Sequence, residues 1–431
     1  MMRPVSGGVL QGLIAICLMW WGGAPLAAQS APAAAGKHQQ EQAAIDQITK
    51  LRGKITLDDA GHVSIVVLDE PVNLTELASA IDGLTKLKRI KLTGPDITDA
   101  ALPILLKHPT LADIEFENCA ISDEAMPNFA KFPKLTGLGL RRSDISNDGL
   151  QHLAGLKNLT KLGLLYTNTS NDGLAHLADL TNLTALDLRA CLIVNDDGLP
   201  HLAKLVKMKS LKFKNQPSIT GKGLIHLKDM KVLKEIGLDD TGVTDEGLEN
   251  LAQFADTLEI LHIERNQITD KGFAHFAPLE KVHTFQARGV LTDGSGLRHL
   301  LGMKNLKTLE LAETGTTDKG LEYITQMTNL ERLDLWLTKV TDEGLKKLAP
   351  LKKLKFLDIK ETGTGDEALK TIVELPNLES LYLDTNKITD AGLTSLGKLK
   401  KLKELSIKFC KVSDEAVAKL QAELPKLKII R

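Results

Sequence analysis

Between Leu87 and Leu427 the chain returns again and again to one short pattern, opened by leucine or, at Met208 and Val282, by another apolar residue. Successive openings lie 24 residues apart ten times and 25 apart four times. A unit this short cannot enclose a core by itself. Each must bury its apolar face against its neighbours, so the chain is predicted to form a long stacked array and not a single packed globule.

Within a unit, two spacings alternate. Residues 330–335 read Leu-Glu-Arg-Leu-Asp-Leu, where Leu333 and Leu335 flank Asp334 as in a strand buried on one face. Val340 then re-enters the core, and Thr341 or Asp342 is placed to cap a helix that carries Leu345 and Leu348 on one side. An Asp recurs at this place, among others at Asp99, Asp123, Asp245, Asp270, Asp318, Asp366, Asp390 and Asp414, with Asn147, Asn171 and Asn195 in the third to fifth units. Capping explains the exchange of Asp for Asn without a bound metal ladder.

Leu-x-x-Leu-x-Leu followed by Ile388-Thr389-Asp390-Ala391-Gly392-Leu393 resembles the leucine-rich-repeat family. The nearest varieties are the cysteine-containing and ribonuclease-inhibitor-like types, as in exported bacterial repeat proteins. The resemblance covers residues 87–431. It implies an α/β solenoid, a horseshoe with a parallel sheet on the concave side and helices on the convex side. About fourteen units and a terminal strand are expected. Family membership implies binding and does not specify a ligand.

The ends read differently. Arg3, the apolar stretch Val9 to Trp21 and the small residues Ala24 to Ala28 read as a signal peptide over residues 1–28. That implies export to a periplasmic or extracellular location, bacterial by the family resemblance, and no stable membrane span after cleavage. Residues 29–47, rich in Ala and Gln, read as a flexible linker. Residues 48–86 read as an N-terminal cap built from a hairpin and a helix. Leu427-Lys428-Ile429-Ile430-Arg431 reads as a bare last strand. A monomer is the expected state, with end-to-end pairing through that strand as the alternative.

Candidate chemistry is sparse. Formal net charge is −1, which gives no global basic field for nucleic acid. Cys119, Cys191 and Cys410 share one repeat position with Thr241, Asn266, Thr338 and Asn386, so they read as structural thiols. His152, His176, His201, His226, His275 and His299 also share one position, predicted to face solvent on the convex side, too far apart for a common zinc. Nucleophile elbows, phosphate loops and His-Glu-x-x-His are absent from the sequence, so no enzyme, metal or cofactor is expected. Four Asn-x-Ser/Thr acceptors, such as Asn158-Leu159-Thr160, arise easily in a Leu- and Thr-rich repeat.

The residues between the buried leucines are free of packing duty and are predicted to line the concave face. The third to sixth units offer Arg141, Arg142, Arg189, Lys212 and Lys214, with Leu165 and Tyr166 among them. The tenth to thirteenth offer Glu310, Glu313, Asp334, Asp358, Glu361 and Asp384, around Trp336, Leu337 and Tyr382, with Phe409 in the next unit. Aromatics are only 4% of the chain, so three beside a carboxylate cluster mark a candidate hot spot for a protein partner. The alternative is an envelope protein that binds cell-wall polysaccharide or another glycan.

Overall fold

The computed structural model describes residues 39–431. The predicted signal peptide and the first part of the predicted linker lie outside the described residues. Among those described, 17 strands form one open sheet in which each strand pairs with the next in sequence. The first two, β1 (Lys54–Leu57) and β2 (Val63–Leu68), form an antiparallel hairpin. From β2 onward all pairing is parallel, through β3 (Arg89–Thr93) to β17 (Lys428–Ile430).

Strict repetition keeps the strands in register. Leu309, Leu333, Leu357, Leu381 and Leu405 sit opposite one another, all with no solvent exposure. Short α- and 3-10 turns return the chain across the other side. Their Gly-Leu pairs, such as Gly344 and Leu345, are buried against the sheet. The result is the predicted solenoid, with a continuous leucine core between the two layers.

Residues 39–47 correct the predicted linker. They belong to a helix, Gln39–Lys50, that docks on the hairpin and shields the first unit. Ala44 and Ile48 are buried, and Glu41 is buried with them, its carboxylate accepting the Val63 N–H at 2.6 Å and meeting His62 Nδ1 at 2.9 Å. Composition misled here because Ala and Gln are good helix formers whenever one face finds a partner. The following helix, Leu74–Ile81, is opened by Asn73 and Glu76 in a reciprocal capping box.

The recurrent Asp is a second correction. Thr341 is the N-cap, its hydroxyl accepting the Glu343 N–H. Asp342 stands inside the helix and reaches forward to the next unit, where it accepts the Gly365 N–H at 2.7 Å. Asp318 binds Thr341 in the same way with both oxygens, at 2.7 Å to the N–H and 2.6 Å to the hydroxyl. Asn171 replaces the carboxylate in its own unit, accepting the Asn195 N–H and donating to its side chain. The ladder therefore ties each unit to the next, besides any effect on its own helix.

Cysteines fit the same logic. Cys191 Sγ donates to Leu164 O at 2.9 Å and Cys410 Sγ to Leu383 O at 3.2 Å, as Asn266 Nδ2 does to Leu238 O at 2.7 Å. Each satisfies a carbonyl of the preceding unit where the strand ends. Burial pushes the Cys119 and Cys191 thiols up to about 11.

Candidate functional site

Two backbone settings carry the predicted concave residues. Four and six residues after each opening leucine, extended backbone sends side chains off the sheet on the face away from the helices. Here stand Glu310, Asp334, Asp358, Tyr382 and Lys212, and then Arg141, Arg189, Lys214, Trp336 and Asp384. One residue further the chain turns through a left-handed corner. Arg142, Tyr166, Glu313, Leu337, Glu361 and Phe409 occupy it, with φ between 51° and 60°. They stand at the turn that follows the strand and not in its extended backbone. Tyr166, Leu337 and Phe409 are 43%, 46% and 85% exposed there.

The structure brings the acidic half together. Register places Glu310, Asp334, Asp358 and Tyr382 side by side on four successive strands. Burial, then the Asp358 charge, raises the Asp334 carboxyl to about 7. Burial likewise raises Asp358, although Lys360 at 3.0 Å works against it. Asp334 accepts the Trp336 backbone N–H at 3.0 Å.

Sequence reasoning missed the cations in this cluster. Arg288 lies 4.7 Å over the Trp336 ring and pairs with Glu313. Lys360 stands 5.1 Å from the Trp336 ring and 5.5 Å from that of Tyr382. Arg332 stacks 3.5 Å over Phe356 and donates to Glu310 at 2.8 Å. Phe356 in turn lies 5.2 Å from Tyr382, whose hydroxyl donates to Glu404 at 3.0 Å. Trp336 Nε1 donates to Glu361 at 3.1 Å. Arg332 and Phe356 sit two residues after their opening leucines. The alternation that turns Asp334 and Asp358 toward this face turns them toward it too, and that was the available signal.

The basic half is no free basic patch. Arg141 pairs with Glu117, Arg189 with Asp187 and Lys212 with Glu235, each at 2.7 Å, and Lys214 pairs with Asp239. Burial would raise Glu235, but hydrogen bonds from His262 and Lys212 hold its carboxyl below the usual range. Arg142 lies 4.8 Å over Tyr166. Asp384 is occupied by the Ser406 hydroxyl and the Lys408 N–H, and Phe409 makes no ring contact among the described residues.

The six register histidines are exposed or half-buried on the helical side. Among the described residues no group of three His, Cys, Asp or Glu side chains is arranged to hold a metal. No helix among them is long and apolar enough to cross a membrane.

An unclosed parallel solenoid with one unit per turn defines the class, and comparison agrees. A family model for a leucine-rich repeat region matches residues 114–386 and another leucine-rich-repeat model matches 398–420; the chain belongs to the leucine-rich-repeat family. An internalin (InlF) of Listeria monocytogenes is similar in structure, with TM-score 0.50 and 20% identity over 90% of this chain and 93% of that one. TLR13, solved in complex with ssRNA13, gives TM-score 0.51 and 16% identity over 86% of this chain and 61% of that one. No curated protein matches the sequence. At these identities the likeness establishes the fold.

Proposed function

We propose that the chain is an exported, non-catalytic binding protein that holds a protein partner on its concave face, centred on Trp336, Phe356 and Tyr382. The observation that carries this reading is convergence. In a chain with 4% aromatic residues, Phe356 and Tyr382 stand on neighbouring strands and Trp336 lies two residues past the end of the strand before them. Their own cations and carboxylates hold them, so little side-chain freedom is lost on docking. Rigid aromatic groups ringed by satisfied charges are the composition of an interface hot spot.

Internal cations already cover the ring faces of Trp336 and Phe356. A small cationic ligand would have to displace them, whereas a protein surface can pack on ring edges and exchange salt bridges at the rim. Export rests on the signal-like residues before Ala28.

The test is capture from the exported fraction of the native cell on immobilised protein, beside Trp336→Ala and Tyr382→Ala. A single partner retained by the parent and lost by both variants, with unchanged circular dichroism, supports the reading. Equal retention by all three removes the concave face from it.

A further inference from the structure

We infer that the flank formed by the strand starts is a second binding surface, for an acidic polysaccharide seated in a groove between Lys134 and Lys207. The groove has a volume of about 440 Å³ and runs across four units. Its floor is a ladder of Thr136, Thr160 and Thr184, with Asn158 and Asn182 beside them. It lies apart from the concave aromatic cluster and does not depend on that reading.

Charge is segregated across the solenoid. Because the strands from β2 onward are parallel and in register, their starts lie on one flank and the helix starts that follow them on the other. The strand-start flank repeats the triplet Lys-Leu-Lys or Lys-Met-Lys, at 86–88, 207–209, 353–355, 401–403 and 426–428, with all ten lysines exposed. On the opposite flank the residue after the recurrent Asp or Asn is again acidic and exposed, as at Glu124, Asp148, Asp172, Glu246 and Glu343. A net charge of −1 thus conceals a lysine-rich edge, basic where no glutamate pairs with it, as at Lys207.

Lys355, Lys403 and Lys428 pair with Glu331, Glu379 and Glu404, but three others are held without being neutralised. Lys207, Lys353 and Lys401 donate to the side-chain carbonyls of Asn182, Asn329 and Asn377 at 2.7, 2.6 and 2.6 Å. A neutral amide fixes each ammonium group and leaves its charge for an external anion.

The groove adds selectivity. Thr136, Thr160 and Thr184 donate to Ala112 O, Thr136 O and Thr160 O at 3.1, 3.0 and 3.0 Å. Their hydrogens are spent inward, so outward they offer acceptor oxygens at the strand spacing of ~4.8 Å. That pitch is close to one sugar ring in an extended chain. Sugar hydroxyls would donate to the threonines, and carboxylates would meet Lys134 and Lys207 at the two ends. The groove lining holds no aromatic ring on which a nucleic-acid base could stack.

The experiment measures retention of the full chain on immobilised polygalacturonate, with dextran and phosphatidylglycerol vesicles as comparators. Polygalacturonate is expected to bind in a salt-dependent way and dextran to fail. Lys134→Glu with Lys207→Glu should weaken binding tenfold or more. Thr160→Val, which leaves the charge unchanged, should weaken it severalfold, and Trp336→Ala should leave it intact. Three results would each overturn the proposal: vesicles bound in place of polygalacturonate, dextran bound equally well, or Thr160→Val and the double variant binding like the parent.

Discussion

Asp245 grips Thr269 of the next unit with both carboxylate oxygens, at 2.8 Å to the backbone N–H and 2.6 Å to the hydroxyl. The same Asp245 Oδ1 lies where a side chain on Gly272 would begin: a Cβ there would sit 2.2 Å from it. Asp and the glycine of the following unit are therefore one device. The glycine is small so that the carboxylate can reach across.

Gly272→Ala tests this directly. Alanine is the better helix former by about 1 kcal/mol, so intrinsic propensity predicts a gain. The clamp predicts a loss of about 1–2 kcal/mol instead, from a displaced hydrogen bond to a charged group. Ala125, Ala368 and Ala416 stand at this place in other units, whose clamps survive, so the loss is bounded. In a urea-denaturation cycle with Asp245→Ala, the double variant should lose less than the sum of the singles. Strict additivity would refute the coupling.

The leucine core and strand register could be read from the chain because both depend on spacing alone. The clamp could not: Asp245 and Thr269 are 24 residues apart, and a capping argument looks only two or three residues ahead. The left-handed corner was hidden for another reason. Arg142, Tyr166, Glu313 and Phe409 have no shared chemistry that would betray a positive φ; only Gly94 and Gly289 in the same column do. The cations at Arg288 and Lys360 were passed over because carboxylates nearby drew attention to a single sign of charge, whereas burial on a crowded face demands both.

Acidity at Asp334 gives a pH signature. Its folded pKa of about 7 lies above the unfolded carboxyl value, so the folded state holds the proton longer. Stability from this group is present below about pH 4, declines as pH rises from there to about 7, and stays lower above. Asp113 and Glu264, also raised to about 7 mainly by burial, act in the same sense. The melting temperature should therefore be higher at pH 5 than at pH 8, and Asp334→Asn should shrink the difference. A chain from residue 29 onward carries Trp336 as its one tryptophan, so its emission should titrate with a midpoint near pH 7 and lose that step in Asp334→Asn.

Phe409 combines 85% exposure with a φ of 60°, so its backbone is strained and its ring is little packed. Asparagine tolerates that backbone well. Phe409→Asn is expected to raise stability by about 0.5–1 kcal/mol, read as a higher urea midpoint at unchanged m-value. Phe409→Val should move the midpoint the other way, since a β-branched residue fits a positive φ poorly. Equal midpoints for both would mean the corner carries no strain.

Cys191 supplies the last check on the structural reading of the thiols. Its sulfur is fully buried, bonded to Leu164 O, and pushed up to about 11 by burial before any other influence. At pH 8 the thiolate fraction is therefore on the order of one in a thousand, and an aromatic disulfide reagent should leave Cys191 untouched in the native chain while guanidinium exposes it. Thr241 and Thr338 occupy the same column and donate within their own units, to Leu238 O and Leu335 O at 2.7 Å, while Leu164 O also receives the Thr167 hydroxyl at 2.8 Å, so Cys191→Thr should fold with near-parent stability. Cys191→Ala removes a donor and should cost about 1 kcal/mol. Rapid native labelling of Cys191 would instead place a reactive thiol in the core and overturn its structural role.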